Sequence, residues 1–100
     1  MKRAGMEYIF RPERNIFADT VIFEFLDEII KTIAGSEGIG VIDFIRLHRK
    51  VEVTSFEAGK SRFYTFYFPN DLKYEVQLKR FGLHHWTINS FTGGHHGYEN

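Results

Sequence analysis

One hundred residues, 43% of them hydrophobic and 26% charged, fit one domain with a single core and leave no room for a second. Thirteen Lys and Arg balance thirteen Asp and Glu, which disfavours a strongly basic nucleic-acid binder or a polybasic membrane anchor. The absence of cysteine excludes a disulfide framework, a thiolate zinc site and a cysteine nucleophile.

The first periodic segment, Met6 to Arg11, is β-capable, and Pro12 ends it. The basic residues Lys2 and Arg3 precede no uninterrupted apolar run, so no secretory signal is expected. No stretch approaches the roughly 18 apolar residues of a membrane-spanning helix, and the chain reads as cytoplasmic, with no membrane partner. A helix follows. Ile22, Phe25, Leu26, Ile29, Ile30 and Ile33 recur at helical spacing against Glu24, Asp27, Glu28 and Lys31. Asn15 or Asp19 is suited to cap its start, and Gly35 to end it.

Beyond the glycine-punctuated turn at 35–40 the period changes to two. Ile45, Leu47, Val51 and Val53 alternate with Arg46, His48, Lys50, Glu52 and Thr54, which predicts one long strand with a wet face. Arg49 stands on the apolar side and marks an expected bulge or bend. Glu57 to Lys60 reads as a hairpin loop, Arg62 to Phe68 as the next strand, and Pro69-Asn70-Asp71 as a turn. Tyr74, Val76 and Leu78 define a further strand, Gly82 interrupts it, and Trp86 and Ile88 define the last. Residues 92–100 are glycine-rich and read as a flexible tail. The fold class is therefore α+β: one amphipathic helix on one face of a four- to five-stranded antiparallel sheet, in β-α-β-β-β-β order, as a single domain over 1–100.

Aromatic residues make up 17% of the chain, and five of the six from Phe63 to Phe68 are aromatic. Alternation puts Tyr64, Phe66 and Phe68 on one face and Phe63 and Tyr67 on the other. One helix covers only one side, so the second face needs another layer, another subunit or a ligand. If the apolar strand positions share the helix side, Arg46, His48, Lys50, Lys73, Lys79 and His85, offset by Glu52 and Glu75, join Phe63 and Tyr67 on the open side. The leading expectation is a small non-enzymatic interaction domain that binds a protein or forms a homodimer there. Phe63 and Tyr67 would be ring anchors, and Arg46, His48, Lys50 and Lys79 steering charges.

The alternative is RNA or single-stranded nucleic-acid binding on that face, where rings stack on bases and cations hold phosphates. The segment Lys60 to Tyr67 lacks the glycine of the first ribonucleoprotein signature, and one helix ahead of four strands departs from the two-helix RNA-recognition motif. A helix followed by an antiparallel sheet is similar in layout to small microbial RNase toxins of the RelE and barnase-like kind. That likeness implies a metal-independent ribonuclease, for which His85, Lys79 and Arg80, with one histidine of the tail, would be the catalytic candidates. No metal or cofactor is expected: His84 and His85 are adjacent on an extended strand and point to opposite faces, and His95 and His96 sit in the tail.

Overall fold

The computed structural model describes residues 2–3, 5–12 and 20–95. Among these residues six strands and two helices occur in the order β1 (Lys2–Arg3), β2 (Met6–Pro12), α1 (Val21–Ser36), α2 (Val41–Leu47), β3 (Lys50–Ala58), β4 (Ser61–Phe68), β5 (Leu72–Phe81) and β6 (His85–His95). They form one sheet in sequential order, with the helices between β2 and β3. The α+β class holds. The sheet is antiparallel except where β2 runs parallel to β3, with Tyr8 opposite Val51 and Phe10 opposite Val53. A helical crossover returns the chain in the direction it left, which is the connection a parallel pair needs.

Helix α1 forms where its apolar spacing predicts, with Ile22, Leu26, Ile29, Ile30 and Ile33 buried. Thr20 stands at the N-cap and makes no side-chain capping bond, while Asn15 and Asp19 lie outside the described residues. The helix continues past Gly35 to Ser36, and Gly38 ends it at φ 77°. The amide of Ile39 donates to Ala34 and that of Gly38 to Gly35, both at 3.1 Å. This pair is a Schellman closure, which needs the left-handed backbone that glycine adopts without strain.

The expected strand over Ile45 to Thr54 is corrected to a short helix, α2, followed by a strand that begins at Lys50. Phe44 is fully buried and meets the Phe68 ring edge-on at 5.2 Å, while His48 packs against both rings, 4.5 Å from Phe44 and 5.5 Å from Phe68. Positions 41, 44, 45 and 48 satisfy helical spacing as well as Ile45 and Leu47 satisfy alternation. Burial of Phe44 decides between the two, since local propensity is weaker than core packing.

The helix-facing side of the sheet carries Met6, Tyr8, Val51, Val53, Tyr64, Phe66, Phe68, Leu72, Tyr74, Val76 and Leu78, all buried. Along β6 the register shifts at one point: Gln77 pairs with Ser90, but Leu78 pairs with Ile88. Asn89 is therefore the extra residue of a bulge, and both Ile88 and Phe91 face the core although they are an odd number of positions apart. Strand β6 runs on through Thr92–His95, inside the segment whose glycines suggest a tail; residues 96–100 lie outside the described residues. Gly93 explains the continuation. A Cβ there would overlap the Lys73 carbonyl oxygen and stand 2.7 Å from the Tyr74 Cα, so only glycine lets the two backbones pair this closely.

Candidate functional site

Strand alternation puts the opposite side of the sheet in solvent, and four of the six sequence-derived binding residues stand on it: Phe63, Tyr67, Lys50 and Lys79. Arg46 and His48 do not. Arg46 is on α2, 3.9 Å from Asp43, and His48 is buried against Phe44 and Phe68. The helical reading of 41–47 removes both from the sheet, so the basic character of the open face is lower than the alternating pattern implies.

Cross-strand register arranges the face in rows. One row runs Phe56, Phe63, Gln77, Ser90. The two phenylalanine rings stack at 4.8 Å and 12°, which half-buries Phe63 in a contact within the chain. Gln77 donates to Ser61 Oγ at 2.9 Å and accepts from Asn89 at 3.2 Å, so the bulge turns Asn89 outward beside Ser90. The next outward row is Thr54, Thr65, Glu75, Thr92. It separates Phe63 from Tyr67 by about 13 Å along the strand, at roughly 3.3 Å per residue.

Tyr67 sits in the third row, between Glu52 and Lys73. It is 41% exposed, and Lys73 Nζ lies 5.8 Å from its ring centre. Ile9, Lys50, Glu52 and Tyr67 border a shallow hollow of about 420 Å³ on this side. Arg11 pairs with Glu52 at 3.3 Å. Cations Arg11, Lys50, Lys73 and Lys79 thus alternate with Glu7, Glu52 and Glu75, and the face is charged but nearly neutral.

At the far end, Phe81 is exposed and stacks on His85 at 6.0 Å. His85 and Lys79 share the open face, but Arg80 pairs with Trp86 on the helix side. The ribonuclease trio is thus divided between the two faces of β5 and β6. Among the described residues no group of three or more His, Cys, Asp or Glu is placed to hold a metal ion. No helix among them is long and apolar enough to cross a membrane.

Comparison of the chain with protein-family models, with curated proteins and with solved structures finds no match. The site is therefore defined by its own geometry.

Proposed function

We propose that the protein is a small cytoplasmic binding domain, not an enzyme, whose open sheet face docks protein, in the first instance a second copy of the chain. Exposure of Tyr67 between Glu52 and Lys73 carries this reading, because an aromatic ring flanked by opposite charges suits a protein interface. The mixed charge favours self-pairing. Rows that hold both signs can be brought lysine to glutamate by a two-fold rotation, whereas Glu7, Glu52 and Glu75 would repel a phosphate backbone. The longer extents of the molecule, 36 and 34 Å, accommodate the roughly 800 Å² that each partner gives to a standard interface.

Light scattering across a concentration series tests the proposal. A dimer that dissociates on dilution, and that Tyr67→Glu converts to monomer with an unchanged circular dichroism spectrum, is the expected result. A chain that stays monomeric throughout overturns self-pairing. Salt-sensitive capture of single-stranded RNA that requires Tyr67 would replace it with the nucleic-acid alternative.

A further inference from the structure

On the helix side, away from the open face, the first turn of α1 and the β5–β6 turn enclose a cleft of about 390 Å³. Its polar residues are two arginines, Arg62 and Arg80, and a histidine, His84, with one carboxylate, Glu24. The two arginines are not in the same state. Arg62 accepts company from two sides: its Nε donates to Glu57 at 3.2 Å, and its guanidinium lies 4.6 Å from the centre of the Trp86 ring. Arg80 has no ion pair among the described residues, and its Nε is sealed from solvent without a hydrogen-bond acceptor. Arg80 is only half-buried, so its remaining nitrogens are open to the cleft, where a charge with no carboxylate partner among the described residues can take an oxyanion. The amino-terminal end of α1 borders the same cleft through Val21, and its dipole adds a positive field.

The rest of the wall is apolar. Trp86, Phe25 and Leu83 line it, and Leu83 is 80% exposed at the tip of the turn. A lining that sets two arginines beside apolar side chains selects a ligand with both characters. We propose that this cleft binds a small organic anion, a phosphate or carboxylate carried on an apolar or aromatic body. Arg80 is the principal anion contact, and Trp86 with Leu83 forms the seat for the body. Glu24, an exposed carboxylate in the lining, opposes the anion and limits its affinity.

The only tryptophan of the chain is Trp86, so its fluorescence reports directly on the cleft. Titration with phenyl phosphate is expected to give a saturable change that inorganic phosphate competes away. Arg80→Gln is expected to weaken binding about tenfold or more, the usual consequence of losing a hydrogen bond to a charged group. Glu24→Gln is expected to tighten it. The expected fold control is a circular dichroism spectrum shared by all three proteins, with Tyr67→Glu binding phenyl phosphate as the parent does. Absence of a saturable change overturns the proposal, as does equal affinity in folded Arg80→Gln or equal binding of phenol.

Discussion

The hydroxyl of Tyr74 donates to Glu37 Oε2 at 2.6 Å, and the Ser36 hydroxyl lies 3.0 Å away. Strand β5 is thereby fastened to the carboxyl end of α1, across the core, by one phenol whose ring is itself buried. Tyr74→Phe keeps the ring and removes the bond. It is expected to cost about 1–2 kcal/mol, and chemical denaturation measures it as a lower midpoint with an unchanged slope.

The same contact makes stability depend on pH at the alkaline end. Burial first, and then the hydrogen bond to Glu37, raise the Tyr74 phenol above its ordinary value of 10.0. An acid with a raised folded value binds its proton more tightly folded than unfolded. Its contribution is complete below the unfolded value, near 10, and is lost as pH rises through the folded value. Denaturation midpoints followed from pH 8 to about 11 should therefore fall more steeply for the parent than for Tyr74→Phe. Parallel curves would refute this account of the phenol.

Gly93 is needed for contact as well as for its φ of 159°, and Gly38 for backbone conformation alone, so alanine should cost more at Gly93. Gly93→Ala pushes a methyl group into the Lys73 carbonyl and the Tyr74 backbone, with an expected loss of about 1–3 kcal/mol. Gly38 has open space around it, so Gly38→Ala meets only the left-handed strain, about 1 kcal/mol. Thermal unfolding should rank them in that order, at about 4–8 °C per kcal/mol for a domain of this size.

Helix α2 predicts opposite outcomes for two residues that look equally apolar in the sequence. Phe44→Ala empties a fully buried site and is expected to cost about 3–5 kcal/mol. Leu47, 64% exposed, should tolerate alanine within about 0.5 kcal/mol. A costly Leu47→Ala would favour the strand that alternation suggests.

Much of the architecture is legible in the residues. The stripe from Ile22 to Ile33 and the alternation through Tyr74, Val76 and Leu78 each bury one periodic face, and period is what a sequence displays most plainly. Residues 45–48 read as the start of a strand for a physical reason: the helical solution requires His48 to occupy an apolar position, which the two rings beside it make possible. Placement of Phe63, Tyr67, Lys50 and Lys79 on one face follows from alternation once the apolar positions of each strand are turned to the helix, a rule that misplaced Arg46 and His48 where the segment is not a strand. The stack that half-buries Phe63 does not, because cross-strand register with Phe56 lies outside any local pattern. The cleft at Arg80 was hidden likewise. Arg62, Arg80 and the start of α1 are remote in sequence and meet only once the helix lies across the sheet.

The bulge at Asn89 also bears on how the molecule avoids growing into a fibre. Strand β6 is the last strand of the sheet, and its eleven residues have no strand on their outer side among the described residues, a length that invites another strand to add on. One surplus residue breaks that edge into two stretches whose donors and acceptors are out of step, so an incoming strand that matches one stretch mismatches the other. Edge-to-edge extension of the sheet is thus obstructed on the β6 side.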